Sequence, residues 1–304
     1  MSVVVLGSIN MDLTTYVPHL PAPGETLFGS SFITVPGGKG FNQAVTAGRL
    51  GAATQFIGRV GEDAFGSGVL DLIANEPVDI SGILVDANSS TGLAVINVDA
   101  QAENSIIVIS GANMAHDDRE VARCRAALSA ARILLLQLES PLGISLAAAQ
   151  AAREAGALVV LDPAPAKPLP AEAYQLCHIL TPNELEAEVL VGFRPTNQEE
   201  AAQAASNLRE RGVETAVIKL GAQGVYYQSG QESGFVEPFP VAVIDTVAAG
   251  DAFNGGLAVA LAEERPLAEA ICWGAAAGAL ATTKSGASSA MPTRTELMKL
   301  LTQT

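Results

Sequence analysis

The sequence predicts an α/β fold in which a mostly parallel sheet is flanked by helices and carries a small antiparallel β lid. Apolar runs of strand length recur along the chain, at residues 3–6, 132–138, 158–161, 179–180 and 216–220. Ala-rich segments with polar residues on one face lie between them, at residues 145–155 and 199–211, and a glycine follows each, as at many helix C-termini. Strands that alternate with helices indicate a parallel sheet covered on both faces.

The lid is predicted from two segments without helical periodicity, at residues 14–36 and 91–110. Both alternate apolar and polar residues and are broken by Gly and Pro, a pattern typical of antiparallel strands. Residues 252–264, 267–283 and 293–301 form a helical C-terminal part. We therefore expect one domain over residues 1–304 with the lid inserted into it.

Composition excludes several classes of protein. With 304 residues and 49% hydrophobic content the chain can bury a large core, and a net charge of −15 argues against nucleic acid as a partner. The three widely spaced cysteines, Cys124, Cys177 and Cys272, are predicted to be buried thiols in a reducing cytoplasm. Neither a signal peptide in residues 1–10 nor a run of about 18 apolar residues is recognisable, so we expect a cytosolic protein without a membrane partner.

The first chemical motif is Gly37-Gly-Lys-Gly-Phe-Asn-Gln-Ala, which precedes a predicted helix over residues 42–50. Glycines let a backbone approach a ligand closely, a helix N-terminus offers free N–H donors, and Lys39 adds a positive charge. A glycine-rich turn that merely caps a helix would explain a motif of this kind found alone. The spacing does not match a Walker A loop.

The second motif is Asp245-Thr-Val-Ala-Ala-Gly-Asp, where small residues lead directly into a predicted helix. If residues 248–251 form its first turn, their N–H groups and the helix dipole point at one spot, which suits a migrating phosphoryl group. Asp251 beside that spot could accept a proton from an attacking hydroxyl. For an isolated Gly-Asp, a favourable acid in a first helical turn remains the alternative.

Taken together, the two motifs resemble the two signatures of the PfkB family of carbohydrate kinases. Further motifs resemble the members that phosphorylate ribose, in order and over nearly the whole chain: Gly7-Ser-Ile-Asn-Met-Asp, Pro23-Gly-Glu-Thr, Gln137-Leu-Glu-Ser, Pro163-Ala-Pro-Ala and Thr181-Pro-Asn-Glu. The resemblance implies transfer of the γ-phosphoryl group of MgATP to the primary hydroxyl of ribose beneath a closing lid. It also implies a homodimer formed through the edge of that lid.

The resemblance assigns roles to individual residues. Asp251 is the expected base, with Ala248, Ala249 and Gly250 as the anion hole. The sugar-binding set is Asn10, Asp12, Gly38, Lys39, Asn42, Glu139 and Asp251. The nucleotide-binding set is Asn183, Glu186, Lys219, Gly221, Gly224, Gly250 and Ala275, in which Asn183 and Glu186 position Mg²⁺ and phosphates.

A monovalent cation site, expected to hold K⁺, is implied near the anion hole. Its expected ligands are Asp245, Val247, Ala281, Lys284 and Gly286. Ala290 stands where the family usually has a serine, so Ser288, Ser289 or water would have to supply the missing oxygen. Lys219 stands where many relatives carry a hydroxyl, and it either contacts the nucleotide phosphates or reaches to water from a strand end.

Two other functions stay open at this point. One is a PfkB kinase for deoxyribose, a ketohexose or a nucleoside, and the other is a catalytically silent sugar-binding regulator. No catalytic role is assigned to His19, His116 and His178, which are expected to be surface or hydrogen-bonded residues. Asp162 is interpreted as the end of a strand, and Trp273 as a core residue.

Overall fold

The structure, a computed structural model, describes residues 2–101, 103–230 and 232–303. Residues 1, 102, 231 and 304 lie outside it, residue 102 within the second predicted lid segment.

Thirteen strands and ten α-helices lie in the described parts of the chain. The strands are β1 (Ser2–Leu6), β2 (Asn10–Tyr16), β3 (Ser31–Gly37), β4 (Ala53–Gly61), β5 (Asp79–Asp86), β6 (Gly92–Val98), β7 (Asn104–Ile109), β8 (Ile133–Leu136), β9 (Leu158–Leu161), β10 (Ile179–Leu180), β11 (Thr215–Lys219), β12 (Val225–Gln228) and β13 (Ser233–Val236). The helices are α1 (Lys39–Arg49), α2 (Ala64–Ile73), α3 (Asp118–Ala127), α4 (Leu142–Glu154), α5 (Ala171–Leu176), α6 (Glu184–Val191), α7 (Gln198–Glu210), α8 (Ala249–Ala262), α9 (Leu267–Ala281) and α10 (Arg294–Leu301).

The large sheet has nine strands in the order β13-β12-β11-β10-β9-β8-β1-β4-β5. All neighbours from β11 to β5 are parallel, and β12 and β13 add an antiparallel edge. The predicted α/β fold class is therefore confirmed. Strands β4, β5, β12 and β13 were not predicted, and in β4 and β5 polar residues and glycines interrupt the apolar runs.

Helices cover both faces of the large sheet. Val3 and Val5 of β1 face a core that includes Phe41 and Trp273, whereas Val4 and Leu6 face a second core on the other side. This alternation explains why the strand reads as a continuous apolar run. No helix within the described ranges is long and apolar enough to cross a membrane.

A second, four-stranded sheet, called the small sheet below, has the order β3-β2-β6-β7. Its outer pairs are antiparallel, and its central pair, β2 and β6, is parallel. Asn10, the first residue of β2, pairs with Gly37 at the end of β3 and with Gly92 at the start of β6. The small sheet is thus joined to the rest of the molecule beside the carboxyl end of β1.

Candidate active site

The first glycine motif lets α1 begin against the loop that follows β1. Gly38 has a φ of 95°, and a Cβ there would lie 2.7 Å from the carbonyl oxygen of Ser8. A Cβ at Gly40 would lie 2.6 Å from the carbonyl carbon of Gly7. Helix α1 starts at Lys39, three residues before the prediction, so Lys39 and Asn42 both lie in its first turn. Only glycine permits this approach.

Asp251 is held at the N-terminus of α8 by two amides from α1. Its Oδ2 accepts a hydrogen bond from Asn42 Nδ2 at 3.0 Å, and its Oδ1 accepts one from Gln43 Nε2 at 3.2 Å. Helix α8 begins at Ala249, three residues before the predicted segment 252–264 and one residue after the start of the supposed first turn 248–251, because Ala248 adopts a left-handed φ of 57°. The N–H groups of Gly250 and Asp251 have no backbone acceptor among the described residues, as expected in a first helical turn.

Burial perturbs the titration of Asp251, which is 4% exposed. Desolvation raises the pKa of this carboxyl to about 6, although the charge of Lys39 and the two amide hydrogen bonds oppose the rise. The negative charge of Asp162 raises it further. Asp251 is therefore a carboxylate near neutral pH, yet it is a stronger base than an exposed aspartate.

Gln43 joins Asp251 to a second buried acid that sequence reasoning set aside. The same Nε2 donates to Asp162 Oδ2 at 3.1 Å, and the other oxygen of Asp162 lies 3.0 Å from the ammonium of Lys219. Gln137 Nε2 donates to Gln43 Oε1 at 2.7 Å and so fixes the orientation of the Gln43 amide. Asp162 does follow β9, but interpreting it only as a strand end is wrong, since it lies in the network around the candidate base.

Lys39 lies among four carboxylates. Burial disfavours its ammonium, but the charges of Asp251, Asp162, Glu139 and Glu186 together raise the pKa of Lys39 above its ordinary value. Glu139 Oε2 accepts hydrogen bonds from Ser8 Oγ at 2.5 Å and from the Lys39 N–H at 3.3 Å. Lys39 thus keeps its positive charge and partly neutralises the negative charge of the four carboxylates.

Asn10 and Asp12 lie on the same face of β2, at the edge of this cleft. Burial raises the pKa of Asp12 to about 7, and the charges of Glu139 and Asp251 add to the rise. The Oδ1 atom of Asn10 accepts a hydrogen bond from Asn113 Nδ2 at 2.8 Å. Asn113 was not among the predicted sugar-binding residues. It lies 103 positions from Asn10 in the chain, and no motif around it indicated the contact.

Within the described residues, Asn42 Oδ1 and Gln137 Oε1 are buried polar atoms of this network without a partner, and Asn42 lies next to Asp251. The side-chain oxygen of Asn42, whose nitrogen holds Asp251, accepts no hydrogen bond within the described ranges. An unpaired buried acceptor is costly, so this oxygen is suited to accept from a bound hydroxyl.

Five of the seven residues predicted to bind nucleotide lie at or just after the ends of β10 and β11: Asn183, Glu186, Lys219, Gly221 and Gly224. Asn183 caps α6, its side chain accepts from the Glu186 N–H at 2.9 Å, and both oxygens of Glu186 accept from Asn183. Glu186 is 6% exposed, and burial raises its pKa, so it is a buried acid and not a solvated helical one. Gly221 and Gly224 both have positive φ angles after β11, whereas Ala275 is half-buried on α9.

The predicted cation ligands lie in the loop before α8 and at or just after the end of α9. Asp245 accepts from the N–H groups of Val247 and Gly286, each at 3.0 Å. Among the described hydrogen bonds, the carbonyl oxygens of Val247, Lys284 and Gly286 accept none, whereas Ala281 accepts one long bond of 3.4 Å from the Lys284 N–H. Several oxygens are therefore free to face a cation here.

Ser288 and Ser289 are the two serines that could supply the oxygen missing at Ala290, and their surroundings differ. Ser288 Oγ donates to the carbonyl oxygen of Pro36 at 2.8 Å, and Ala290 is fully buried. Ser289 is exposed, and its Oγ lies 2.6 Å from the position that a Cβ at Gly286 would take. Ser289 Oγ donates a longer bond, of 3.3 Å, to the carbonyl oxygen of Ser285, and because it lies beside the Gly286 loop it is the better placed of the two serines.

Some predictions outside the cleft need correction. His19 bonds Glu25 at 3.0 Å and His178 Nδ1 accepts from the Val159 N–H at 2.9 Å, but neither ring nitrogen of the buried His116 has a described partner. The expectation that His116 is exposed or hydrogen-bonded is wrong, and burial lowers its pKa to about 4, which keeps the ring neutral. The thiols are all unpaired, and Cys272 is only half-buried.

Comparison with known proteins confirms the resemblance seen in the motifs. A family model described as pfkB family carbohydrate kinase matches residues 1–294. The chain is 44% identical over 301 residues to the ribokinase of Haemophilus influenzae, covering 99% of this chain and 98% of the relative. It is 36% identical over 303 residues to the ribokinase of Bacillus subtilis, covering 99% of each.

Solved structures give the same result. The structure of Arabidopsis thaliana ribokinase complexed with ribose and ATP superposes with a TM-score of 0.91 at 35% identity over 98% of both chains. A ribokinase from Thermotoga maritima gives a TM-score of 0.88 at 34% identity over 99% of both chains. Phosphofructokinase-2 from Escherichia coli in complex with potassium gives 0.82 at 25% identity, over 99% of this chain and 98% of the other.

Proposed function

The chain belongs to the pfkB family of carbohydrate kinases, and on that premise we propose that it transfers the γ-phosphoryl group of ATP to the primary hydroxyl of ribose. The observation that carries the proposal is the buried carboxylate of Asp251, fixed by two amides at the N-terminus of α8. The relatives named ribokinase, and the neighbour complexed with ribose and ATP, support ribose as the sugar and ATP as the donor.

Groups that bind hydroxyls surround Asp251. The sugar-binding set that we propose is Asn10, Asp12, Gly38, Lys39, Asn42 and Glu139. Carboxylates and amides can exchange paired hydrogen bonds with vicinal hydroxyls, and the unpaired Oδ1 of Asn42 requires a donor that a sugar hydroxyl supplies. The cleft therefore favours a small polyol over an apolar substrate.

Proton transfer is assigned to Asp251. Its carboxylate accepts the proton of the primary hydroxyl while that oxygen forms a bond to the γ-phosphorus and the bond from phosphorus to the ADP oxygen breaks. With a pKa raised to about 6 by burial, Asp251 is ionised at neutral pH and still basic enough to take the proton. Asn42 and Gln43 hold the carboxylate in one orientation.

Charge on the transferring group is stabilised by the first turn of α8. The free N–H groups of Gly250 and Asp251 and the positive end of the helix dipole form the anion hole, with Ala248 and Ala249 setting the turn. Lys219 adds a positive charge beside that turn. Such pre-oriented donors lower the barrier because they need no rearrangement during the reaction.

The nucleotide is assigned to the loops after β10 and β11. Gly221 and Gly224 admit it, Asn183, Glu186 and Lys219 face its phosphates, and Ala275 lies along the base. No three acidic, His or Cys side chains within the described residues form a metal cage. This fits a magnesium ion that is held mainly by the phosphates, with Glu186 as the proposed protein acid acting through water. The ion would neutralise phosphate charge.

We also assign a potassium ion to the loops of Asp245 and Gly286. The free carbonyl oxygens there and the Asp245 carboxylate are the donor types that hard cations prefer. The proposed ligands are Asp245, Val247, Ala281, Lys284 and Gly286, with Ser289 in place of the missing serine. The potassium complex of a structural neighbour supports this assignment.

The small sheet is proposed to be a lid on a single kinase domain and to pair with a second copy. Its edge strand β7 exposes Ile106, Ile107, Val108 and Ile109, each at least 47% exposed. A long exposed apolar edge is a pairing surface, which a homodimer would cover. The three unpaired cysteines support a cytoplasmic location, where thiols remain reduced.

The experiment that tests the function is ADP release from MgATP with ribose, 2-deoxyribose, fructose, tagatose and ribonucleosides as acceptors. We expect turnover of ribose to exceed that of the other acceptors. Faster turnover of another acceptor would overturn the assignment of ribose as the substrate but retain the assignment of kinase activity. The absence of turnover with any acceptor would overturn the assignment of kinase activity.

A further inference from the structure

Asn113 makes three side-chain hydrogen bonds beside the proposed sugar site. It lies in a 3₁₀ turn, Gly111–Ala115, directly after β7, and it is 2% exposed. Its Oδ1 accepts from the Ile9 N–H at 2.8 Å, and its Nδ2 donates to the Ile9 carbonyl oxygen at 3.0 Å. The remaining hydrogen of Nδ2 goes to Asn10 Oδ1 at 2.8 Å. The side chain thus pairs with the backbone of Ile9 as a neighbouring strand would.

These bonds leave Asn113 one orientation. The Ile9 N–H must meet an oxygen and the Ile9 carbonyl must meet a donor, so rotating the amide by 180° would break both bonds. Nδ2 therefore faces Asn10, and Asn10 must present its oxygen to it. The backbone of Ile9 in this way determines the orientation of the side chain of Asn10.

The other end of the Asn10 amide is left for a ligand. Its Nδ2 has no acceptor among residues 2–101, 103–230 and 232–303, although Asn10 is only 5% exposed. Gly92 closes over the contact, since a Cβ there would lie 2.3 Å from both Asn10 Oδ1 and Asn113 Nδ2. Water therefore has little room to compete with the bond between the two asparagines.

The turn that carries Asn113 is fixed from several sides. The Ala112 N–H donates to the Ser90 carbonyl oxygen at 2.7 Å, and the buried guanidinium of Arg59 donates to the carbonyl oxygen of Ala115. The same turn continues from β7, the edge strand of the small sheet. The turn is thus bonded to Ser90 and Arg59 and is continuous with the proposed lid. Asn113 can therefore hold Asn10 while the lid closes.

Resting on the proposed function, we propose that Asn113 is a positioning residue for the sugar, which fixes the Asn10 amide so that Nδ2 donates to a bound hydroxyl oxygen. Asn113 does not itself touch the sugar. Without it, Asn10 can rotate and offer an oxygen where the hydroxyl oxygen needs a donor. The cost falls on sugar binding, whereas the nucleotide site and Asp251 are unaffected.

The test compares Asn113→Ala, Asn10→Ala and the double variant for KM of ribose, kcat, KM of ATP and ribose affinity by calorimetry. Asn113→Ala should raise KM and Kd for ribose about tenfold, the worth of one hydrogen bond, with kcat and KM of ATP little changed. In the Asn10→Ala background the same substitution should have no further effect on ribose, because Asn113 acts through Asn10.

The control is Asn97→Ala, which removes the bonds of Asn97 to Thr15 Oγ1 and Ser105 Oγ within the small sheet but does not touch Asn10. It should leave KM for ribose unchanged. If Asn113→Ala does not fold, Asn113→Asp makes the same test, since its second oxygen cannot donate to Asn10 while the first still accepts from Ile9.

A wild-type KM for ribose in Asn113→Ala would overturn the proposal, as would an equal loss in the Asn10→Ala background. Failure of the proposed function looks different: the wild-type chain itself would then neither bind nor phosphorylate ribose. Ribose calorimetry on the wild-type protein therefore separates failure of the proposed function, in which wild type does not bind ribose, from failure of the Asn113 proposal, in which it does.

Discussion

The ammonium of Lys219 lies 3.0 Å from Oδ1 of Asp162, and the two side chains are 11% and 3% exposed. A Cβ at Gly250 would lie 3.3 Å from the same ammonium, so Lys219 stands against the first turn of α8. Gln43 connects Asp162 to Asp251. A lysine at a position that the sequence left ambiguous therefore lies beside the proposed anion hole rather than reaching into water.

Replacing Lys219 with methionine tests its role. We expect kcat/KM for ATP to fall about 10- to 100-fold, the value of a charge-assisted hydrogen bond to phosphate, while ribose affinity changes little. Lys219→Arg, which keeps the charge, should retain more activity than Lys219→Met. Equal activity in wild type and Lys219→Met would contradict a contact with the phosphates.

The pH dependence should report the titration of Asp251. Because the carboxylate is the active form and burial raises its pKa to about 6, kcat at saturating ribose should decline as pH falls through about 6. The profile of kcat/KM for ribose should also follow Asp12, whose pKa is raised to about 7. An exposed aspartate would lose activity only nearer pH 4. A profile that is flat down to pH 5 would argue against Asp251 as the base.

Gln43→Leu should shift the acidic side of this pH profile to higher pH. The Gln43 amide stabilises the charged form of Asp251, so its loss should raise the pKa of Asp251 and shift the decline in kcat to higher pH. Asn207→Leu, at a half-buried position of α7 that accepts a hydrogen bond from Gln203, is the control, and its profile should match wild type. An unshifted limb in Gln43→Leu would mean that the amide does not tune the base.

Potassium should stabilise the protein through Ser289. We expect KCl to raise the thermal unfolding midpoint relative to an equal concentration of choline chloride, and Ser289→Ala to reduce this difference. Ser229→Ala, in a distant loop, should keep the full response. If KCl raises the unfolding midpoint of Ser289→Ala as much as that of wild type, Ser289 is not a potassium ligand and water takes the place of the hydroxyl missing at Ala290.

The exposed edge of β7 should mediate dimerisation. Ile107→Glu places a charge on an apolar edge strand and should convert a dimer to a monomer in sedimentation velocity. Leu72→Glu on α2, at 45% exposure, is the matched control and should leave assembly unchanged. A wild-type protein that sediments as a monomer at micromolar concentration would contradict the homodimer.

The sequence allowed the elements with simple patterns to be predicted, and it missed those that depend on distant partners. The apolar run at residues 158–161 is β9 as predicted, but β4 contains the buried Arg59, whose charge is balanced by Glu120 from α3. A buried arginine interrupts a strand pattern, and nothing local reveals its partner. Strand β4 was missed for that reason.

The same limit applies to the site. Asp251 and Lys39 lie in recognisable motifs, whereas Asp162 and Asn113 act through side chains about 100 positions away in the chain. Gln43 could have been singled out, because it follows Asn42 in the first motif. Only the fold brings its amide within reach of both Asp162 and Asp251.

The most direct test of the central claim is ³¹P NMR of ribose and MgATP incubated with wild type and with Asp251→Ala, alongside ribose calorimetry on both. We expect wild type to yield ribose 5-phosphate and ADP, and Asp251→Ala to bind ribose but form no sugar phosphate. Ribose phosphate formed at the wild-type rate by Asp251→Ala, or none formed by wild type, would contradict the account.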